Sequence, residues 1–241
     1  MPLIPADRLR APRPRHHPRL APELVTRAVR PVLSARRRER IERVLRHRLL
    51  SVTVVLENLH DPHNAAAAIR TCEGVGLVHV HVVGTSEPFF CSRKVSLNAH
   101  KWLSVYLHRD IDDCLGLLGE AGYSCLAAVP PRIDASPAPA EMEVAVDGPV
   151  ALLYGNEHMG LSRRALDLAD GRFSYPMYGF CESLNISVSV AVTLSRVVER
   201  RRRALGRSGD LPPGLEERLR AAYYAQSTPH TAALVLRSLD E

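Results

Sequence analysis

An α/β fold, with a mostly parallel sheet and helices on both faces, is what this 241-residue chain predicts. Short apolar runs alternate along it with helix-like segments. The runs at 52–56 and 150–154 are apolar but for Thr53, as strands buried on both faces are. Polar, glycine-bearing loops follow the strands, at the edge where open α/β sheets bind ligands.

Each element has its own signal. Residues 1–33 are rich in proline and arginine with little to bury, so a disordered arm is expected. Residues 34–50 predict a basic helix, capped by Ser34 and striped by Ile41, Val44, Leu45 and Leu49. A strand at 52–56 leads to a helix at 64–74 that Asn64 can cap. Strands follow at 78–83 and 105–108, then a helix at 110–120 capped by Asp110. Next come a strand at 124–129, a proline-rich loop at 130–139, a strand at 150–154, a helix at 162–170 and a strand at 173–175. The longest helix is expected over 184–203. Leu184, Ile186, Val188, Val190, Val192 and Val197 make it apolar nearly all round, which predicts burial on every side and a second subunit on its outer face. A Gly/Pro linker at 206–214 precedes a helical segment from Leu215. The division is an arm at 1–33, a basic helix at 34–50, a core domain at 51–204 and a helical extension at 205–241.

Composition narrows the function. Net charge is +6, and arginines cluster as Arg36, Arg38, Arg40 and Arg43 and again as Arg200, Arg201 and Arg203. An anionic partner is favoured, and guanidinium groups suit phosphate. The five cysteines have no CxxC spacing, and none of the eleven histidines is supported by a third ligand at a metal-like spacing, so no metal is expected. No apolar run is long enough for a membrane helix and the N-terminus lacks a signal peptide's apolar centre, so a cytoplasmic protein with reduced thiols is expected. A nicotinamide enzyme is excluded because no GxGxxG follows the first strand.

Three loops carry the chemistry. The first, LENLHDPHNAAAAIRTCEGVG at 56–76, gathers polar side chains after a strand and sets Arg70 on the following helix. The second is LLYGNEHMGLS at 152–162, whose glycines allow close approach of a ligand or another backbone. The third is YPMYGFCESLNISVSVA at 175–191, with Ser183, Asn185, Ser187 and Ser189 threaded through an apolar helix start. In this order and spacing they resemble motifs 1, 2 and 3 of the SpoU/TrmH family, the RNA ribose 2′-O-methyltransferases of the SPOUT superfamily. The likeness extends over about 34–203 and includes the triplet His100, Lys101, Trp102.

The resemblance implies a deep C-terminal trefoil knot, S-adenosylmethionine as methyl donor, and a homodimer formed through the knot region. It implies Arg70 as the central catalytic residue, with Asn64, Glu157, Ser183 and Asn185 beside it. Ala128, Gly155, Glu157, Tyr175, Met177 and Leu184 match cofactor-binding positions, mostly through backbone groups. Ala128 departs from the threonine that related tRNA enzymes can carry. Lys101 joins the arginine clusters as an expected RNA contact. Only some fifty residues precede the first motif, which is similar to the layout of the tRNA guanosine-18 branch, so tRNA is the expected substrate. The alternatives are an rRNA ribose 2′-O-methyltransferase and a non-catalytic RNA-binding knot protein.

Overall fold

The computed structural model of the protein describes residues 21–84, 99–131 and 144–240. Its centre is a six-stranded sheet in the order β3-β2-β1-β5-β4-β6, with every described pairing parallel. The strands are β1 (Val52–Glu57), β2 (His79–Val83), β3 (Ser104–His108), β4 (Ser124–Ala128), β5 (Val150–Tyr154) and β6 (Gly171–Phe173). β1 and β5 are wholly buried and pair from Val52↔Val150 to Leu56↔Tyr154. Their largely apolar runs, interrupted in β1 by Thr53 and closed by Glu57, follow from having helices on both faces.

Alternate residues divide the core. Val54, Leu56, Leu152 and Tyr154 pack with α3 (Pro62–Gly74) and α6 (Ile186–Leu205). Val55, Ala151 and Leu153 pack on the other face with α4 (Ile111–Glu120) and α5 (Arg163–Leu168). β1 to β3 step outward on one side, then the chain crosses to β4, and β5 closes the centre beside β1. The strand order therefore reverses between β1 and β5, where α/β folds open their ligand crevice.

Several sequence expectations change. The basic helix expected at 34–50 stops at Arg46, and Leu49 beyond it makes a parallel bridge to Leu77. The arm expected at 1–33 is helical where it is described: α1 (Pro22–Val29) runs into a 3-10 turn at Arg30–Val32. Pro22 opens the helix at a position where its missing N–H costs nothing. Val25 and Val29 bury one face against α2 (Ala35–Arg46), α7 (Pro213–Gln226) and α8 (Thr231–Asp240). The strand expected at 173–175 instead occupies Gly171–Phe173, because its bonds run to Leu126–Ala128. The long helix begins at Ile186, not 184, and only one of its faces is buried within the chain. Val190, Leu194 and Val197 are fully covered, while Val188 is 46% exposed. The loop expected at 130–139 lies outside the described residues from 132 on.

The outer helices are anchored to the core by Arg48, whose guanidinium is buried. It donates to Leu77 O at 2.9 Å, Trp102 O at 3.1 Å and Glu73 Oε1 at 2.9 Å. Glu73 lies on α3, the helix that carries Asn64 and Arg70, so this buried charge is paired and also fixes α3.

Candidate active site

The loops after β1 and β5 are locked together. Glu57 ends β1 with a buried carboxylate that accepts from Ser162 N at 2.8 Å and Ser162 Oγ at 2.7 Å. Ser162 Oγ in turn caps α5 by accepting from Ala165 N at 3.0 Å. Asn58 takes the left-handed conformation at φ 52°, which asparagine tolerates better than most residues. Its carbonyl accepts from Asn156 Nδ2 at 2.8 Å. Asp61, not Asn64, caps α3, through its bond from His63 N at 2.8 Å, and Pro62 follows at the first helical position. Asn64 is thereby freed from capping and turns to tertiary partners.

Those partners are the other two loops. Asn64 Nδ2 donates to Glu157 Oε1 at 2.9 Å, and Asn185 Nδ2 donates to Asn64 Oδ1 at 3.0 Å. Asn185 Oδ1 caps α6 by accepting from Ser187 N at 2.9 Å and Ser187 Oγ at 2.7 Å. The direction of this chain is fixed at both ends. A carboxylate only accepts, so Asn64 presents its amide nitrogen to Glu157 and its oxygen to Asn185. Glu157 Oε2 also accepts from His60 N at 3.3 Å. Partial burial raises the Glu157 pKa, but the Asn64 amide and the backbone N–H groups of Glu157, His60 and Asp61 outweigh it and hold the carboxyl below its ordinary value.

Arg70 lies on the exposed side of α3, while Ala68, Ile69 and Cys72 are buried against the sheet. Its guanidinium forms no hydrogen bond or ion pair among the described residues. Ser183 is exposed in the bend before Asn185 and likewise has no bond among the described residues. Asn185 alone supplies the cap expected of the pair.

The cofactor candidates gather at the carboxyl ends of β4, β5 and β6. Ala128 ends β4, and Gly155 follows β5. A Cβ on Gly155 would sit 2.1 Å from Gly160 C and Leu161 N, so its glycine serves the loop's own close approach. Tyr175 is fixed by its hydroxyl, which donates to Ser189 O at 3.0 Å. Met177 and Leu184 lie along 174–185, whose residues 176–184 make no backbone–backbone bond among the described residues. Free backbone donors and acceptors beside half-exposed apolar side chains fit the adenosyl portion of S-adenosylmethionine, whose base takes amide-type bonds on its edge and apolar contact on its faces.

The basic candidates divide. Arg36, Arg40 and Arg43 are exposed on α2, and Lys101 is half-exposed. Arg38 is partly used within the chain, donating to Leu33 O at 2.6 Å and Arg30 O at 3.1 Å. Arg203 pairs with Glu199, and Arg200 is half-buried. Arg201, expected to contact RNA, is instead a core residue: it is 7% exposed and donates to Ser51 Oγ, Val146 O and Asp147 O. An arginine run on a helix must send some members inward, and linear spacing did not say which. Sequence reasoning also missed the work of Glu57 and Ser162. The usable signal was a serine before the short helix, the pattern of an N-cap.

Residues 51–195 match the sequence profile of the SpoU rRNA methylase family. The tRNA (guanosine(18)-2′-O)-methyltransferase of Thermus thermophilus is 40% identical over 168 residues, covering 70% of this chain and 84% of that protein. The protein of the same name from Escherichia coli is 32% identical over 189 residues, covering 75% and 78%. Among solved structures, the A. aeolicus TrmH/SpoU tRNA modifying enzyme superposes with a TM-score of 0.69 at 24% identity, covering 80% of this chain and 97% of that one. An AdoMet-bound rRNA methyltransferase from Sinorhizobium meliloti gives 0.55 at 23% identity, covering 64% and 56%. At these identities the two structures establish the fold.

Proposed function

The chain belongs to the SpoU rRNA methylase family, and from that premise we propose that it methylates the ribose 2′-hydroxyl of a tRNA, at the D-loop guanosine of position 18. The observation that carries this reading is the chain Asn185–Asn64–Glu157, which joins all three motif loops at the carboxyl edge of the sheet. The curated relatives that cover most of this chain bear that activity in their names.

S-adenosylmethionine supplies an electrophilic methyl on a positively charged sulfur, so what remains for the protein is orientation and control of the 2′-hydroxyl. Arg70 meets the acceptor. A guanidinium does not give up its proton in a protein, so Arg70 acts by gripping an RNA phosphate and stabilising the negative charge that develops on the 2′-oxygen. The hydroxyl proton leaves to solvent. Asn64, held by Glu157 and Asn185, fixes the start of the helix on which Arg70 rides. Ser183, free of internal bonds among the described residues, is available to the ribose or the cofactor.

The segment at 174–185 runs from β6, at one edge of the sheet, back to α6, which packs with α3. That course supports the family's trefoil knot. The occupant of the exposed apolar surface at the start of α6, formed by Val188 and by Leu184 just before the helix, is a second copy of this chain. No helix among the described residues is long and apolar enough to cross a membrane, and a tRNA-modifying role suits the cytoplasm.

Mass spectrometry of digested tRNA and rRNA from a deletion strain tests the substrate. The expected result is loss of 2′-O-methylguanosine at tRNA position 18. Loss from rRNA with tRNA intact would overturn the assignment.

A further inference from the structure

β2 and β3 carry a cluster of imidazoles that the methyl-transfer reading does not use. In their parallel register His81 faces Tyr106 and Val83 faces His108, so His79, His81 and His108 point to the α4 side. Their nitrogens form a continuous file. His79 Nε2 is 3.0 Å from Tyr123 Oη, His79 Nδ1 is 2.9 Å from His81 Nε2, and His81 Nδ1 is 2.9 Å from His108 Nε2.

The protons along this file can be assigned. Tyr123 donates its hydroxyl to Leu50 O, so it can only accept from His79 Nε2–H. With its proton on Nε2, His79 Nδ1 is an acceptor within reach of Thr53 Oγ1 at 3.1 Å and His81 Nε2 at 2.9 Å; Thr53 gives its one proton to the His79 carbonyl at 3.0 Å, so the donor to Nδ1 is His81 Nε2–H. His81 Nδ1 therefore carries a lone pair aimed at His108. Beside it stands Cys114 of α4, fully buried. One donor atom from each of His81, His108 and Cys114 lies within 4.8 Å of the others. The third ligand comes from a different element, which is why linear spacing gave no metal expectation.

We propose that His81, His108 and Cys114 bind one borderline-soft divalent cation of the zinc type, which staples β2 and β3 to α4. Two imidazoles and a thiolate are the donor set zinc takes, whereas magnesium and calcium require oxygen ligands. A zinc-bound histidine usually donates its second N–H to a fixed acceptor, and His81 already does so to His79, backed by Tyr123 and Leu50 O. Binding is balanced as follows. The cation takes the lone pairs of both imidazoles and the thiolate, the Cys114 proton is released, and His108 moves its proton from Nε2 to Nδ1. Zinc–nitrogen bonds of about 2.0–2.1 Å set the two nitrogens about 3.4 Å apart, so the rings must separate by about half an ångström. His108 ends β3 and is only half-buried, which leaves it room to turn. Three protein ligands leave the fourth tetrahedral position to a water, and none of the three belongs to the Asn185–Asn64–Glu157 chain.

The test is metal binding by the full-length protein, reduced and stripped with chelator. Cobalt(II) is expected to bind at one equivalent per chain, with a sulfur-to-metal charge-transfer band and tetrahedral visible bands. Zinc(II) should displace it and raise the melting temperature. Cys114→Ser should abolish the charge-transfer band, and His108→Gln should weaken affinity at least about tenfold. Cys181→Ser, which removes an exposed thiol, should change neither. If Cys114→Ser does not fold, His108→Gln decides alone. Absence of bound cobalt, or a band that survives Cys114→Ser or vanishes with Cys181→Ser, would leave the cluster a hydrogen-bonded file and overturn the proposal.

Discussion

Asn64 and Glu157, 93 positions apart in sequence, meet at 2.9 Å and tie the loop after β1 to the loop after β5. Asn64 can do this because Asp61 takes the capping role at α3. Asn64→Ala should leave Glu157 short of a charge-assisted partner, costing about 1.5–3 kcal/mol locally. The expected consequence is a kcat lower by about tenfold or more, with tRNA affinity little changed. Glu157→Gln should have a similar effect, and the double variant should be no worse than either. Strictly additive losses in a double-mutant cycle would show that the pair does not act as a unit.

The same contact predicts an acid limit. The folded Glu157 carboxyl lies below its ordinary value of 4.5, so its contribution is complete above that pH and is lost as pH falls through the folded value. Wild type and Glu157→Gln should therefore differ most in stability at neutral pH and converge in acid. Denaturant titrations at several pH values measure this, and a gap that widens in acid would refute it.

Arg70 should tolerate little. Arg70→Ala is expected to lose nearly all methylation while S-adenosylmethionine affinity is retained, because the proposed mechanism places the guanidinium against acceptor RNA. Arg70→Lys keeps the charge and loses the planar fork that grips phosphate in two places. It should be almost as inactive as alanine. A lysine variant within about tenfold of wild type, roughly 1.4 kcal/mol in barrier, would mean that Arg70 acts as a point charge.

The arginines separate by location. Replacing Arg36, Arg40 and Arg43 together by glutamine should flatten the dependence of tRNA affinity on salt, since each lost phosphate contact lowers the log–log slope. Arg201→Gln should leave that slope alone and lower stability by at least about 2 kcal/mol, because buried carbonyls lose a charged donor. An altered salt slope with unchanged melting in the Arg201 variant would reverse the two roles.

The exposed face of α6 predicts self-association. Val188→Glu should convert dimers to monomers or aggregates, since a charge cannot be buried unpaired in an apolar contact. Sedimentation velocity at micromolar concentration reads the outcome. A wild-type chain that sediments as a well-behaved monomer would exclude the dimer.

Much of the fold was legible locally. The runs at β1 and β5 are apolar but for Thr53 and the closing Glu57, and Ser34 and Asp110 each stand where a helix needs an acceptor. Helix α1 was missed because its prolines suggested disorder. Its order comes from Val25 and Val29 meeting Tyr224 and Ala225 of α7, nearly two hundred residues away. β6 was displaced for the same kind of reason: an edge strand takes its register from its neighbour, and Leu126–Ala128 fixed it at Gly171–Phe173.

The sequence by itself determined the alternation of elements, the basic charge and the three loops that hold the candidate site residues. These depend on residue type and short-range spacing, which a chain carries before it folds. Only the tertiary structure decided that Asn64 bonds Glu157 and Asn185 instead of capping α3, that Arg201 faces the core while Arg203 faces water, and that Cys114 lies beside His81 and His108. Each of those outcomes is a choice between partners far apart in sequence, and it is settled by which polar groups remain unpaired once the sheet has formed and water has been excluded.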